Sequence, residues 1–316
     1  MSRVFRKFLL RVCSGYSRME FLRMKLTDLT TIRELMERHG VKFQKKFGQN
    51  FLISEQVPKN IADAACGWEP EKRRGKGILE IGPGIGTLTR ELAARADKVV
   101  ALEIDTGLMP ILDETLADFP NASVINRDVL KTDLQALIRE EFPADAFEVA
   151  VAANLPYYIT TPIIMKLVES RLPFEYITVM IQKEVAVRLA APAGDPEYGA
   201  ITAALAYYGS VERLFTVPAG CFLPAPKVDS AVIRIRLHKE PPVSVKNEDM
   251  LFRLIRGGFA QRRKTLSNSL SSEFPGIDKT KISEAIISAG LEPSVRGERL
   301  SLEEFARLAD AMCDIS

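Results

Sequence analysis

Short β-rich runs alternate with helical stretches from Ile78 to about Val151, and few folds accommodate that rhythm. It is typical of a doubly wound α/β sheet, in which helices cover both faces of parallel strands. Strands are predicted at Gly77–Ile81, Lys98–Glu103, Ser123–Asn126 and Phe147–Ala152, with helices at Thr87–Arg95 and Leu108–Asp118. Later elements are predicted at Pro162–Glu169 (helix), Tyr176–Ile181 (strand), Lys183–Ala190 (helix), Gly209–Pro218 and Val228–His238 (both strands). The last two runs lie close together and predict an antiparallel hairpin at the edge of the sheet.

The periodicity becomes helical after Lys239-Glu240-Pro241-Pro242, a segment that we interpret as a linker because its prolines end the preceding strand. Helices are predicted at Glu248–Ala260, Arg262–Leu270, Lys279–Ala289 and Ser301–Met312, the last opening with a capping box at Ser301. The predicted organisation is a basic extension at 1–24, an α/β domain at 25–240 and a small all-helical domain at 245–316.

Composition excludes several classes of protein. No apolar run approaches the roughly 20 residues that a membrane-spanning helix needs, so no membrane span is expected. The 316 residues include two histidines, His39 and His238, and four cysteines without a Cys-x-x-Cys pair. A zinc cluster, a histidine-based catalytic triad and a disulfide framework are therefore not expected, nor is any metal. The chemistry should depend on the backbone, amides, carboxylates and aromatic rings, in a reducing compartment.

Positive charge is concentrated locally, although the formal net charge is only +2. Residues 1–24 hold six Lys or Arg against one Glu, which fits either a targeting or RNA-contacting arm or a disordered extension. Two further basic clusters occur, one comprising Lys42, Lys45 and Lys46, the other Arg253, Arg256, Arg262, Arg263 and Lys264. Each is either a solvated helix face or a local nucleic-acid surface.

A glycine-rich turn follows the first predicted strand, in Gly82-Pro83-Gly84-Ile85-Gly86-Thr87. Glycines allow close backbone approach to a ligand, but Thr87 and Pro83 argue against a diphosphate-binding dinucleotide loop. Glu103 ends the second strand, where a carboxylate can bind both ribose hydroxyls, and Asp128 follows the third strand. Ribose and adenine without diphosphate indicate S-adenosylmethionine; the alternative is a structural turn with incidental acids.

The fourth strand runs into Asn154-Leu155-Pro156-Tyr157. The exocyclic nitrogen of adenine is a poor nucleophile because its lone pair is delocalised into the ring. The Asn154 side-chain oxygen and the Leu155 carbonyl could accept its two hydrogens, with Pro156 fixing the local backbone and Tyr157 stacking on the base. Phe222 could cover the second face of a flipped base. The alternatives are a proline turn after a buried strand and a core role for Phe222.

Together these motifs resemble the KsgA (RsmA) family of ribosomal RNA small-subunit adenine dimethyltransferases, from about Lys42 to the C-terminus. The matching segments are Lys45–Leu52, Glu80–Leu88, Asn154–Tyr157, Phe222–Val228 and Phe259–Leu266. The resemblance implies a Rossmann-like S-adenosylmethionine-dependent methyltransferase domain with a small C-terminal all-helical domain. It also implies N6,N6-dimethylation of two adjacent adenosines in the 3′-terminal hairpin loop of 16S rRNA, and a role in small-subunit biogenesis. The expected partner is the small ribosomal subunit, and the expected enzyme is a cytoplasmic monomer.

The resemblance also implies roles for individual residues. Tyr157 and Phe222 would enclose the adenosine, and Asn154 would join it to the cofactor. Residues expected to bind the cofactor are Gln49, Asn50, Leu52, Gly82, Gly84, Glu103 for the ribose, Ile104, Asp128 for the adenine, Val129 and Asn154. Residues expected to contact rRNA are Lys45, Lys46, Arg256, Arg262, Arg263 and Lys264.

Three other functions compete with this one. A large-subunit rRNA adenine methyltransferase of the macrolide-resistance type would share the fold, the glycine loop and an Asn-x-Pro-Tyr segment. A non-catalytic ribosome-assembly factor would bind RNA without needing Glu103, Asn154 and Tyr157, all of which are present. A nicotinamide oxidoreductase is disfavoured by Thr87 and by the lack of a suitable histidine or Ser-Tyr-Lys set.

Overall fold

The computed structural model describes residues 24–41, 48–69 and 74–315. They form two compact units. The first comprises the described residues up to Pro156 together with Pro218–Lys227, and the second comprises Tyr157–Val217 and the described residues from Val228 onward. The expected extension at 1–24, apart from Met24, lies outside the described residues, as does the predicted basic cluster of Lys42, Lys45 and Lys46.

Four parallel strands form the centre of the first unit: β2 (Gly75–Ile81), β3 (Lys98–Glu103), β4 (Ala122–Asn126) and β5 (Phe147–Asn154). Their spatial order is β4-β3-β2-β5. Helices α3 (Thr87–Ala93), α4 (Met109–Thr115) and α5 (Leu134–Glu141) connect them. The predicted α/β class is confirmed. The strand order reverses between β2 and β5, and ligands of such sheets bind beyond the carboxyl ends of strands at this point.

The N-terminal part of the first unit contains elements that we did not predict. They are α1 (Leu29–Arg38), the short strand β1 (Phe51–Leu52) and α2 (Gln56–Cys66). Helix α1 is capped by Asp28, whose carboxylate accepts from the Thr31 N–H. Strand β1 pairs in antiparallel register with β8 (Phe222–Leu223), although the two are far apart in the chain. The segment 218–227 thereby belongs to the first unit while the strands on either side of it belong to the second.

The second unit begins with α6 (Thr160–Glu169), β6 (Ile177–Gln182), α7 (Lys183–Leu189) and α8 (Ala200–Tyr208). Strands β7 (Gly209–Val217) and β9 (Ser230–Leu237) follow and pair in antiparallel fashion, which confirms the predicted hairpin. Strand β9 also pairs in antiparallel register with β6, so it is hydrogen-bonded on both sides. Helix α8 escaped prediction because its sequence, Ala-Ile-Thr-Ala-Ala-Leu-Ala-Tyr-Tyr, has no polar face.

The remaining helices are α9 (Glu248–Ala260), α10 (Leu266–Glu273), α11 (Lys279–Ser288) and α12 (Leu302–Cys313). The predicted capping box at Ser301 is confirmed. The helix predicted at Arg262–Leu270 is wrong at its start, because the Thr265 backbone is extended and Arg262–Lys264 form a turn before α10.

The C-terminal helices share a hydrophobic core with earlier residues of the second unit, including Tyr198, Ala203 and Tyr207. The division into domains at 25–240 and 245–316 stays a prediction. Among the helices within 24–41, 48–69 and 74–315, none is long and apolar enough to cross a membrane.

Candidate methyltransferase site

The glycine-rich turn after β2 has the backbone that its sequence predicts. Gly82, Gly84 and Gly86 have φ values of +70°, +62° and +90°, a region that favours glycine. A Cβ on Gly86 would lie 2.9 Å from the Thr115 hydroxyl oxygen, so close packing also requires glycine there. The Gly84 N–H donates to Glu103 Oε2 at 3.2 Å. The loop is thereby tied to the end of the neighbouring strand β3.

Glu103 is 5% exposed, and both of its carboxylate oxygens are held by the backbone. Oε1 accepts from the Asp105 N–H at 2.8 Å, and Oε2 accepts from the Gly84 N–H. Burial raises the pKa of Glu103, and these hydrogen bonds oppose that shift. Each oxygen retains a lone pair for a ribose hydroxyl. The next side chain, Ile104, is 47% exposed, which suits an apolar contact with a flat ligand.

Asp105 is a residue of the site that the sequence reasoning missed. It is 3% exposed, and its carboxylate accepts from the Gly107 N–H at 3.0 Å and from Gln49 Nε2 at 2.7 Å. Gln49, predicted to bind the cofactor, is thus hydrogen-bonded to the β3 end. The signal was present in the Asp105-Thr106-Gly107 sequence, which favours a turn closed by the aspartate side chain.

Asp128 and Val129 lie just beyond β4, as predicted. Asp128 Oδ1 accepts from the Leu130 N–H at 2.9 Å, while Oδ2 lies 3.9 Å from Lys131 Nζ. Val129 is 7% exposed. The ends of β3 and β4 are joined because Asn126 Nδ2 donates to the Glu103 carbonyl at 2.8 Å. Asp128 and Glu103 therefore share one edge of the sheet.

Asn154 ends β5, next to β2 and its glycine-rich turn. Its Nδ2 donates to the Asn50 carbonyl at 3.2 Å, and Asn50 Nδ2 in turn donates to the Gly48 carbonyl at 3.1 Å. This arrangement directs the Asn154 amide nitrogen toward the protein and leaves Oδ1 to accept from a ligand. Leu155, which follows, is 1% exposed.

Leu52 and Phe222 face each other in the β1–β8 pair. They are 3% and 2% exposed, and the Ile53 N–H donates to the Cys221 carbonyl at 2.8 Å beside them. A cofactor-binding role for Leu52 and base stacking by Phe222 stay predictions. The ring of Phe222 is buried, so stacking on a base requires it to be uncovered.

Tyr157 begins a 3-10 turn, Tyr157–Ile159, and is half-buried. Its hydroxyl lies 2.7 Å from the Ser230 hydroxyl. Burial raises the pKa of Tyr157, which keeps the phenol protonated at neutral pH. The adjacent Tyr158 is 59% exposed.

Glu80, near the carboxyl end of β2, is a buried acid for which the sequence analysis proposed no role. It lies in β2 at 1% exposure, and within the described part of the chain neither carboxyl oxygen has a hydrogen-bond partner. Burial raises the pKa of Glu80 to about 8; the nearby Thr89 hydroxyl opposes this shift, and the charge of Glu103 adds a smaller rise. This carboxyl group is therefore mostly neutral at pH 7.

The predicted basic surface contains residues of two kinds. Arg256, Arg263 and Lys264 are exposed. Arg262 donates from Nη2 to the carbonyls of Pro196 and Tyr198, both at 2.9 Å, and therefore fastens a neighbouring loop. Of these residues, Arg262 has the clearest structural role.

No group of three or more His, Cys, Asp or Glu side chains arranged to bind a metal ion occurs in the described ranges.

The sequence was compared with known proteins. A family model described as ribosomal RNA adenine dimethylase matches residues 40–313. Proteins called ribosomal RNA small subunit methyltransferase A are similar over most of their length. That of Streptococcus thermophilus is 46% identical over 92% of this chain and 98% of the relative. Those of Geobacillus kaustophilus and Bacillus mycoides are 48% and 49% identical over 90% and 89% of this chain, and over 95% and 94% of the relatives.

Two solved structures of methyltransferases are also similar to this chain. A dimethyladenosine transferase from Plasmodium falciparum has a TM-score of 0.64 at 25% identity and covers 79% of this chain and 93% of its own. The 23S rRNA methyltransferase ErmE has a TM-score of 0.61 at 29% identity and covers 84% of this chain and 100% of its own. The Rossmann-like methyltransferase fold and the resemblance drawn from the motifs are confirmed: this chain belongs to the ribosomal RNA adenine dimethylase family.

Proposed function

We propose that this protein uses S-adenosylmethionine to dimethylate N6 of two adjacent adenosines in the 3′-terminal hairpin loop of small-subunit rRNA. The observation that carries the proposal is the orientation of Asn154, whose amide nitrogen donates to the Asn50 carbonyl. The proposal includes a monomeric enzyme that acts on the small ribosomal subunit in the cytoplasm and needs no metal.

The residues at the carboxyl edge of the first unit's strands fit this cofactor. The backbone at Gly82 is open to close approach, since a Cβ there would meet no atom within 4 Å, whereas a Cβ on Gly84 would lie 3.2 Å from the Phe51 ring. Glu103 would accept from the ribose hydroxyls, Asp128 would accept from the adenine amine, and the exposed Ile104 would pack on the adenine ring. When bound, S-adenosylmethionine supplies an electrophilic methyl group on its sulfonium sulfur.

Asn154 and Leu155 would activate the target nitrogen. Asn154 Oδ1 and the Leu155 carbonyl would each accept one N6 hydrogen, which draws the nitrogen toward tetrahedral geometry and localises its lone pair. Tyr157 would hold the base by stacking. A neutral amide and a carbonyl take no proton themselves, so the proton released after transfer leaves to solvent.

The choice of the small subunit over the large one follows from the relatives. Those named for the small subunit are 46–49% identical along nearly their whole length, against 29% for ErmE, which is named for 23S rRNA. Since the fold is common to both, overall architecture does not separate the two substrates.

The test is to incubate the purified protein and labelled S-adenosylmethionine with undermethylated small and large ribosomal subunits separately. N6,N6-dimethyladenosine should map to adjacent adenosines near the 3′ end of the small-subunit RNA. Label on large-subunit RNA would instead indicate that this protein acts on 23S rRNA, the RNA for which ErmE is named. Subunit binding without label would indicate an assembly factor.

A further inference from the structure

We propose that Ser230 is a positioning residue for methyl transfer, because its hydroxyl fixes the free end of the Tyr157 ring. This inference deepens the proposed function and rests on the stacking of Tyr157 against the target adenine. Ser230 is distant from the amide-proline-aromatic motif in sequence, and no feature of its own pattern marks it.

The Ser230 hydroxyl is a rigid anchor. The residue is fully buried, and its Oγ lies 2.7 Å from Tyr157 Oη. Strand β9 begins at Ser230, where the residue is paired with Gln182 of β6 on one side and Val217 of β7 on the other. Because both neighbouring strands hold its backbone, the hydroxyl has little freedom to follow a moving partner.

Tyr157 needs such an anchor because of where it lies. It begins a one-turn 3-10 segment that leads directly into α6, and its side chain is only half-buried. A tyrosine ring attached only at Cβ can swing about χ1, whereas one held at both Cβ and Oη keeps its axis fixed. A stacking ring has to present its face at a constant angle, so this second attachment bears directly on the geometry of the bound base.

The chemistry of the pair favours a lasting hydrogen bond. A fully buried serine hydroxyl without a partner is costly, so Ser230 gains from holding the phenol. Burial, and to a smaller extent the charge of Asp229, raises the pKa of Tyr157 against the opposing effect of the Ser230 hydrogen bond, so the phenol keeps its proton across the neutral range and either hydroxyl can donate. The Lys183 N–H donates to the Asp229 carbonyl at 2.9 Å, which further secures the segment before Ser230.

The test is a double-mutant cycle with Ser230→Ala, Tyr157→Phe and the double variant, measured as kcat/KM on undermethylated small subunits. Each single variant should lose about tenfold in kcat/KM, the scale of one lost hydrogen bond, with the KM for S-adenosylmethionine within about twofold of the parent. The double variant should lose no more than either single variant, since both remove the same bond.

Ser269→Ala is the matched control, because Ser269 is also a buried serine of the second unit and donates to the Gly257 carbonyl. It should lower thermal stability without changing kcat/KM. If Ser230→Ala does not fold, Tyr157→Phe removes the same hydrogen bond by changing its half-buried partner. Full activity of Tyr157→Phe then overturns the proposal. Losses that multiply in the double variant overturn it as well.

Tyr157→Ala separates this inference from the proposed function. If Tyr157→Ala retains activity, the stacking role itself is wrong. If it is inactive while Tyr157→Phe and Ser230→Ala are both fully active, only the positioning role is wrong.

Discussion

The side-chain nitrogen of Asn154 donates to the backbone carbonyl of Asn50, which is 104 residues earlier in the chain, at 3.2 Å. An asparagine amide can present either its donor or its acceptor end to a ligand, and this bond selects the acceptor. The loop before β1 therefore determines the polarity of the group at the end of β5. Activation of an amine requires an acceptor for its hydrogens, which is the end of the Asn154 amide that this bond leaves toward a ligand.

Asn154→Ala should lower the rate of methyl transfer by about 10²–10³-fold, the effect of removing one preorganised polar group at a reacting centre. Binding to the small subunit should be nearly unchanged. Single-turnover methylation and filter binding measure the two quantities. Asn121→Ala is the control, since Asn121 Nδ2 donates to the Ala93 and Ala96 carbonyls elsewhere in the first unit. A loss of only a few-fold at Asn154 would exclude the acceptor role.

Glu103→Gln should raise the KM for S-adenosylmethionine by about tenfold, with a smaller effect on kcat, because it weakens binding of the ribose rather than the reaction. The amide nitrogen would also face one of the two backbone N–H donors that now meet the carboxylate. Initial rates at varied cofactor concentration measure the change. Glu140→Gln, on the exposed face of α5, should leave KM unaltered. An unchanged KM at Glu103 would argue against the ribose contact.

The basic residues before α10 should divide into two functional classes. Arg263→Gln together with Lys264→Gln should weaken subunit binding and flatten its dependence on salt, since each lost phosphate contact reduces that slope. Arg262→Gln should instead destabilise the protein by about 1–2 kcal/mol through loss of its hydrogen bonds to the Pro196 and Tyr198 carbonyls. Salt titrations of binding and thermal melts distinguish the classes. A large drop in melting temperature for the Arg263 and Lys264 pair would contradict this division.

Glu80 should make the protein less stable as pH rises. Its pKa is raised from 4.5 to about 8 in the folded state, so between these values the unfolded chain has released a proton that the folded chain retains. Stability from this group is therefore full below about pH 4.5 and declines up to about pH 8, by on the order of a few kcal/mol. Glu80→Gln cannot ionise and should flatten the fall in melting temperature between pH 5 and pH 8. An equal fall in parent and variant would show that Glu80 does not cause it.

The elements with strong local patterns were predictable. The strands from Gly77 to Asn154 are continuous apolar runs with turn residues between them, and the Ser301 capping box is a local signal. Helix α8 was missed because its sequence is apolar on nearly every face, including the partly exposed one, so it shows no helical periodicity. The start of α10 was misplaced because the charges of Arg262–Lys264 fit a helix, whereas these residues form a turn in which the Lys264 N–H donates to the Gln261 carbonyl.

The features of the candidate site also differ in how far the sequence could predict them. The placement of Glu103, Asp128 and Asn154 at one edge of the sheet was predictable, because parallel strands bring their carboxyl ends together. Asp105 carries a local turn signal, but its hydrogen bond to Gln49 was not predictable, nor was that between Ser230 and Tyr157, because each joins residues distant in sequence. Hydrogen bonds between distant residues leave no periodic trace in a single sequence.

The antiparallel pairing of β1 with β8 has a consequence for how the chain is made. Synthesis proceeds from the N-terminus, so Phe51 and Leu52 leave the ribosome long before Phe222 and Leu223 exist to pair with them. Until then the partner positions of β1 are empty, and its apolar side chains lack their final cover. The first unit therefore reaches its native contacts only after Tyr157–Val217 of the second unit has emerged. The length of the nascent chain, more than the local strand propensity of β1, should determine when β1 pairs with β8.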